Sequence, residues 1–372
     1  MPQPSEIKRH DDSSSKPDAS QARPSLVSRR DDKLSFLSII SLALNCDMPQ
    51  INLPRLPGID GRSYGLGAGV SSTVARHKSG DESATICPPG TMVALKRFSA
   101  TPCDNKEIKR LHRLLSQELQ IFCHPFLRSH ANICQMLYVG WEETKLFPVI
   151  ALEMGIYGTL SSALQQIRSY NSALEKGYLT TDIIFGLEAL HRCGYCHGDV
   201  KTDNVIIQSH PHRKFIAKLA DFSGVKSVVT RHKDSRPDFG TPTWQPPEVI
   251  LNDPDVDWQL ADIYSLGMVI ATIWTTEGFI PQGGTFLDTQ LTYELDSRSK
   301  SLWTNIKKTK DDMHPESMIT SAFNATAYTE SLHLPLQELI SYTLPRCPRD
   351  RATVKDISHS VATPFLMQLG NR

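Results

Sequence analysis

His197-Gly198-Asp199-Val200-Lys201-Thr202-Asp203-Asn204 is the stretch from which the rest of this chain is read. It sets an acid two residues ahead of a lysine and five ahead of an amide. A single loop carrying these groups has what phosphoryl transfer requires. Asp199 can accept or orient an acceptor hydroxyl, Lys201 can offset charge on the moving phosphoryl group, and Asn204 can offer an amide oxygen to Mg²⁺.

The flanking residues explain how such a loop could be held. Upstream, Thr181-Asp182 can cap a helix whose apolar stripe is Ile183, Ile184, Leu187 and Leu190 and whose stop is Gly194. That helix would deliver the loop. Downstream, Val205–Ile207 and Phe215–Ala220 read as two strands around a His/Pro turn, so His210 and His212 are turn residues rather than metal ligands. The second strand runs into Asp221-Phe222-Ser223-Gly224. An acid just beyond a buried strand, one hairpin from Asn204, is well placed to chelate Mg²⁺.

Further toward the N-terminus, Gly65-Leu-Gly67-Ala-Gly69-Val-Ser-Ser72-Thr-Val74 puts glycines where a strand turns with its backbone close to something. Met92–Phe98 is an alternating apolar strand that includes Lys96, and Lys78 to Gly90 reads as an enlarged hairpin loop. From Glu107 to Cys123, apolar residues recur at Ile108, Leu111, Leu114, Leu115, Leu119 and Phe122, an amphipathic helix. Glu118 projects from its buried stripe. A carboxylate there must find a cation, and Lys96 is the natural partner. Gln135–Trp141 and Phe147–Gly155 follow as strands.

Toward the C-terminus stand Gly240-Thr-Pro-Thr-Trp-Gln-Pro-Pro-Glu248, a helix from Asp262 through Trp274 that is apolar on all faces, and Arg351 in Cys-Pro-Arg-Asp-Arg-Ala-Thr. A helix without a polar face belongs inside a core. Asp253, Asp255 and Asp257 alternate like the start of a calcium loop, but the loop lacks Gly at its sixth position and has Tyr264 at its twelfth. A solvated acidic loop is the reading.

In this order the motifs resemble those of eukaryotic protein kinases of the serine/threonine type, over roughly residues 60 to 365. The first stretch is similar to the catalytic loop His-Arg-Asp-x-Lys-x-x-Asn, with Gly198 where Arg is usual. Gly67-x-Gly69-x-x-Ser72-x-Val74 resembles the glycine-rich loop, Val93–Lys96 the third-strand Val-Ala-Ile-Lys, Asp221-Phe-Ser the Asp-Phe-Gly motif, and Pro246-Pro-Glu248 the Ala-Pro-Glu motif. The resemblance implies an α+β, bilobal kinase-like fold. Residues 61–154 would form a small β-rich N-lobe with one main helix, and residues 155–365 a larger, mainly helical C-lobe. It implies ATP and Mg²⁺ in the cleft between them. Gly67, Gly69, Ser72, Val74 and Lys96 would hold the phosphates, Leu152 would gate the adenine pocket, and Glu153 and Met154 would meet the adenine edge. Asn204 and Asp221 would hold the metal. Asp199, Lys201, Lys96 and Glu118 would carry the catalysis, and Glu248 would pair with Arg351. Lys201 together with Thr241 resembles the serine/threonine branch, since tyrosine kinases typically lack a lysine at that position.

Composition sets limits. The chain has 372 residues, 40% apolar and 22% charged, with 40 basic residues against 40 acidic ones. That balance gives no electrostatic reason to expect nucleic acid as partner. A protein substrate is the partner implied by the resemblance, and the oligomeric state is not readable. Residues 1–60 are expected as a tail: polar and disordered to about residue 32, then a short apolar helix within Leu34–Leu44 too short to span a bilayer, then a linker at Pro54 and Pro57. No export signal is recognisable, and 8 cysteines are too few and too uneven for a disulfide framework. An intracellular setting, cytoplasmic or nuclear, is expected. Cys193-Gly-Tyr-Cys196-His197 satisfies a c-type haem pattern, but His197 already opens the catalytic loop.

Two other functions share parts of this pattern. Small-molecule phosphotransferases resembling aminoglycoside and choline kinases carry His-Gly-Asp-x-x-x-x-Asn followed by Asp-Phe, but they lack the Gly-Thr…Pro-Pro-Glu segment and the helix beginning at Asp262. A nucleotide-sensing pseudokinase scaffold would tolerate Ser72, Ser223 and Gly198, yet Lys96, Glu118, Asp199, Asn204 and Asp221 are all present. Gly198 also removes the guanidinium that helps hold a phosphorylated activation loop in kinases with Arg there. Phosphorylation of Ser227, Thr230 or Ser235 is therefore expected to be dispensable, and the cations Lys226, Arg231, Lys233 and Arg236 read as a solvated basic loop.

Overall fold

The computed structural model describes residues 50–52, 65–68, 72–78, 90–98, 105–141, 147–166, 172–228, 240–274 and 330–370. Strands β1 (Gln50–Asn52), β2 (Gly65–Ala68), β3 (Ser72–Lys78), β4 (Met92–Phe98), β5 (Met136–Trp141) and β6 (Val149–Glu153) form one sheet in the order β1-β5-β6-β4-β3-β2. All its pairings are antiparallel except the parallel β1–β5 edge. β1 lies inside the segment expected as tail and linker. Its three residues pair with Val139, Gly140 and Trp141, a pairing too short to leave a periodic signal in the sequence.

Alternation along β4 explains why its residues divide between two faces. Val93 and Leu95 are buried with Tyr138, Val149 and Ala151 in a small cluster on one side. Ala94 and Phe98 join the main core on the other, and Lys96 shares their face. Onto that face packs α1 (Asn105–Phe122), through Leu111, Leu115, Leu119 and Phe122. Its stripe is the one expected, with Glu118 fully buried in line with it.

After β6 the chain enters a helical region: α2 (Leu160–Gln166), α3 (Ala173–Arg192), α4 (Pro247–Ile250), α5 (Trp258–Trp274), α6 (Glu330–Thr343), α7 (Val354–Ile357) and α8 (Thr363–Gly370). α5 is buried continuously from Ala261 to Trp274, as a helix without a polar face must be. α3 starts at Ala173 with Ser172 as its cap, accepting from the Glu175 amide at 3.2 Å, and not at Thr181-Asp182. Thr181 instead bonds back to the Gly177 carbonyl within the helix, and Asp182 is buried against Arg213. The stop is where it was expected: Gly194 has φ 77° directly after the helix.

Short strands β7 (Tyr195–Cys196) and β10 (Lys226–Ser227) pair with each other, and β8 (Val205–Ser209) pairs with β9 (Phe215–Leu219). The latter hairpin buries Val205, Ile207, Ala217 and Leu219 in the core. A small strand-rich N-terminal region thus sits over a mainly helical C-terminal part, as expected. No described helix is long and apolar enough to cross a membrane.

Candidate active site

The loop from His197 to Asn204 is pinned from beneath by α5. Asp262 is 1% exposed on a helix with no solvated face, so its carboxylate must be met by donors. Oδ2 accepts the His197 amide at 2.6 Å and Oδ1 the Gly198 amide at 2.9 Å, while His191 Nε2 lies 3.0 Å from Oδ2. Gly198 sits at φ 81°, a conformation costly for other residues and free for glycine. His197 Nδ1 accepts the Asp199 amide at 3.3 Å, which leaves the proton on Nε2 for the Ala220 carbonyl at 3.2 Å. The same ring stands 5.5 Å from Phe222, which in turn stacks edge-on against Phe122 of α1 at 5.4 Å. A continuous column therefore ties the loop to α1.

Asp199 is ringed by donors. Oδ2 accepts Lys201 Nζ at 2.6 Å and Asn204 Nδ2 at 2.9 Å, and Oδ1 accepts the Thr241 amide at 2.8 Å and its hydroxyl at 3.0 Å. Lys201 Nζ also reaches Thr241 Oγ1 at 2.6 Å. The Asp199 and Lys201 side chains keep 21% and 19% of their surface in contact with solvent, so a substrate can approach them. Asn204 spends its amide nitrogen on Asp199 twice, on the carboxylate and on the backbone carbonyl at 2.8 Å. Its oxygen is thereby left to face elsewhere.

A second cluster surrounds Lys96. Its ammonium lies 2.6 Å from Glu118 Oε1 and 2.7 Å from Asp221 Oδ1, with Lys96 3% and Glu118 0% exposed. Burial alone would lower the pKa of this amine, but the Glu118 and Asp221 carboxylates outweigh it and hold Lys96 protonated well above the ordinary lysine value. Burial would raise the Asp221 carboxyl, and Lys96 overcomes it and keeps that acid below the usual carboxylate range. Ser223 adds a hydroxyl at 2.9 Å to the same Oδ1. Asp221 itself is at φ 60°, a strained setting for a residue with a side chain.

The two clusters adjoin. The Ala220 amide donates to the Asn204 carbonyl at 2.8 Å. A Cβ added to Gly224 would lie 3.7 Å from the Asp199 Cβ and 3.3 Å from the His197 carbonyl. The chain from Ala220 to Gly224 therefore runs directly alongside the loop from His197 to Asn204. For Mg²⁺ the donor set fits: Asn204 presents an amide oxygen, and Asp221 takes both of its protein donors on Oδ1. Hard oxygen ligands suit that ion, which draws its remaining ligands from phosphates and water. Among the described residues there is no cluster of three or more His, Cys, Asp or Glu that would suggest an all-protein metal cage instead.

The remaining predicted residues fall into place unevenly. Val74 is partly buried against the main core, and Ala94 pairs across the sheet with Leu152 on the cleft side of β4 and β6. Gly67 lies in β2 and Ser72 opens β3, but Gly69, expected in the turn between them, lies outside the described residues. Met154 is not free to meet adenine through its carbonyl, which accepts Gln208 Nε2 at 2.7 Å. Glu153 is bound through its carboxylate to Lys218 at 2.8 Å and to the Gln135 amide at 2.8 Å. Glu248 and Arg351 form the expected pair, bidentate at 2.6 and 2.9 Å, with Arg351 fully inside.

Cys196 of the haem-like pattern is fully buried with its thiol on the Lys226 carbonyl, and Cys193 is likewise a free thiol. Lys226 stacks over Trp258 at 5.5 Å, and Arg231, Lys233, Arg236, Thr230 and Ser235 lie outside the described residues. Sequence reasoning missed Asp262 as the anchor of the loop, although a carboxylate inside an all-apolar helix was itself a signal. It missed Gln208, Lys218 and the Ser223 hydroxyl, whose roles depend on which strands meet.

Comparison with known proteins agrees with this geometry. The chain is 32% identical over 188 residues to a probable serine/threonine-protein kinase of Dictyostelium discoideum, covering 50% of this chain and 27% of that protein. It is 32% identical over 190 residues to mitogen-activated protein kinase kinase kinase 3 of Arabidopsis thaliana, covering 50% and 27%. With mitogen-activated protein kinase kinase kinase A of Dictyostelium discoideum it shares 32% over 191 residues, 50% and 19% of the two lengths. The chain thus spans only about a quarter or less of each of these relatives. The protein kinase domain as a family matches residues 63–365, which covers both clusters, and the chain belongs to that family.

Proposed function

We propose that this protein is an ATP-dependent kinase that phosphorylates serine and threonine hydroxyls of protein substrates. The observation that carries this reading is the network on Asp199. An acid held by Lys201, Asn204 and Thr241 lies in the same crevice as the Lys96–Glu118–Asp221 cluster. When bound, Mg²⁺ would neutralise charge between the phosphates, held by Asn204 and Asp221.

The protein's own groups account for the rest. Glu118 holds Lys96 extended into the crevice, where its ammonium can meet the α- and β-phosphates. The acceptor hydroxyl replaces Thr241 on Oδ1 of Asp199 and gives up its proton there as its oxygen bonds to the γ-phosphorus. The bond from that phosphorus to the β,γ-bridging oxygen breaks, and ADP leaves. Lys201, 2.6 Å from Asp199, offsets negative charge on the transferring group. An intracellular setting belongs to the same proposal. Free thiols at Cys134, Cys193, Cys196 and Cys347 among the described residues support it, whereas the disulfide-bonded Cys123 weighs against a reducing setting.

The test is transfer from labelled ATP with Mg²⁺ to a generic basic protein, and separately to aminoglycosides and to choline. Label on the protein that vanishes in Asp199→Asn is expected. Label on the small molecules instead would move the protein to another class of phosphotransferase. Nucleotide binding without transfer to any acceptor would make it a scaffold.

A further inference from the structure

The β8–β9 hairpin has one face in the core and one face turned to the chain linking the two lobes. Val205, Ile207, Ala217 and Leu219 are all fully buried. The residues between them, Ile206 opposite Lys218 and Gln208 opposite Ile216, must therefore project the other way. Three of those four touch the linking segment directly. Lys218 holds the Glu153 carboxylate, Ile206 lies under Gly155, and Gln208 Nε2 donates to the Met154 carbonyl at 2.7 Å, the shortest of these contacts.

The backbone around this bond is crowded. A Cβ at Gly155 would come to 2.5 Å from the Gly158 carbonyl and 3.1 Å from the Ile206 Cβ. Gly158 donates back to the Gly155 carbonyl at 3.0 Å, and the Ile207 amide donates to the Gly158 carbonyl at 3.0 Å. In such a segment a peptide plane can still rotate, and what fixes the plane between Met154 and Gly155 is the bond from Gln208. A trans peptide points its carbonyl and its N–H in opposite directions. With the Met154 carbonyl turned onto the hairpin, the Gly155 N–H is turned away from the hairpin.

We propose that Gln208 is a positioning residue for the nucleotide base: its side-chain amide sets the Met154–Gly155 peptide plane so that this linking segment presents a donor to the purine edge. The proposal rests on the reading of the crevice as an adenine-nucleotide site. It assigns Gln208 a role in binding the base and none in transferring the phosphoryl group. The phosphates are held by other residues, so their contribution is unaffected.

The experiment separates base from phosphate. With full-length protein, affinities for adenosine and for inorganic tripolyphosphate are measured by calorimetry for wild type, Gln208→Ala, Gln208→Glu and Gln208→Lys, alongside KM and kcat for ATP. One lost neutral hydrogen bond corresponds to about three- to tenfold weaker binding. Adenosine affinity is expected to fall by that factor in the Ala and Glu variants and KM for ATP to rise with it, while tripolyphosphate affinity and kcat stay level. Gln208→Glu keeps the size and loses the donor, whereas Gln208→Lys restores a donor and recovers affinity. Equal adenosine affinity in wild type and Gln208→Ala overturns the proposal, as does a parallel loss of tripolyphosphate binding. If wild type itself binds no adenosine, the nucleotide reading falls first and this proposal with it.

Discussion

Two acid–lysine pairs in this molecule share a length and little else. Lys96 and Glu118 meet at 2.6 Å with 3% and 0% of their side chains exposed, and Lys201 and Asp199 meet at 2.6 Å with 19% and 21% exposed. In the first, two charges have left water: Glu118 and Asp221 hold Lys96 charged, while burial pushes the Glu118 carboxyl up against the pull of Lys96. In the second, the charges keep partial contact with water and with Thr241 and Asn204. The difference separates assembly from chemistry. A buried pair fixes where a strand and a helix stand, whereas a half-exposed acid can exchange its partners for an incoming hydroxyl.

The largest expected effect would come from cutting the buried pair. Removing one partner of a buried ion pair costs about 3–5 kcal/mol, against about 1 kcal/mol or less for exposed pairs. Glu118→Ala is therefore expected to destabilise the fold far more than Lys201→Ala, measured by urea unfolding, and a double-mutant cycle should give Lys96–Glu118 the larger coupling. Equal couplings would break the comparison. Acidity sharpens it: Asp221 is lowered and Lys96 raised, so both stay charged between the ordinary carboxylate and amine values, roughly pH 4 to 10. Their contribution to stability is full across that window. It is lost only as acid protonates Asp221 or alkali deprotonates Lys96.

Asp182 provides the opposite case. Burial pushes its carboxyl up to about 6 despite Arg213 at 2.6 Å. The folded protein then holds that proton more tightly than the unfolded chain does, so stability should fall as pH rises from about 4 to 6, by roughly 1–3 kcal/mol. Thermal unfolding of wild type and Asp182→Asn across that range checks the sign, since the decline should be absent in the variant.

Thr241 probes the half-exposed pair. Thr241→Val removes the hydroxyl that bridges Asp199 and Lys201, and turnover is expected to drop about tenfold with stability nearly unchanged. The smallest effect should come from phosphatase treatment. Gly198 offers no guanidinium to a phosphorylated loop, so turnover before and after treatment should agree within about twofold, and a large loss would contradict this role for Gly198.

Much of this was legible beforehand, for a physical reason. Lys96, Glu118, Asp199, Asn204 and Asp221 are charged or amide groups in strongly periodic or glycine-marked surroundings, where their presence needs a reason. Glu118 in an apolar stripe pointed to a buried partner, and Lys96 is that partner. The start of α3 was not legible, because a helix buried all round has no stripe to mark its first turn, and Thr181-Asp182 imitated a cap. Ser172 with Glu175 three residues later was the better cap signal. Gln208 was out of reach because its role appears only when β8 lies against the segment after β6, a contact 54 residues apart in sequence.

The most direct test of the account is a single-turnover measurement on preformed enzyme with ATP and Mg²⁺, made on wild type and Asp199→Asn after their nucleotide affinities have been compared. The account predicts equal affinity within about threefold and a loss of transfer between about a hundredfold and ten-thousandfold in the variant. Undiminished transfer by Asp199→Asn would contradict it.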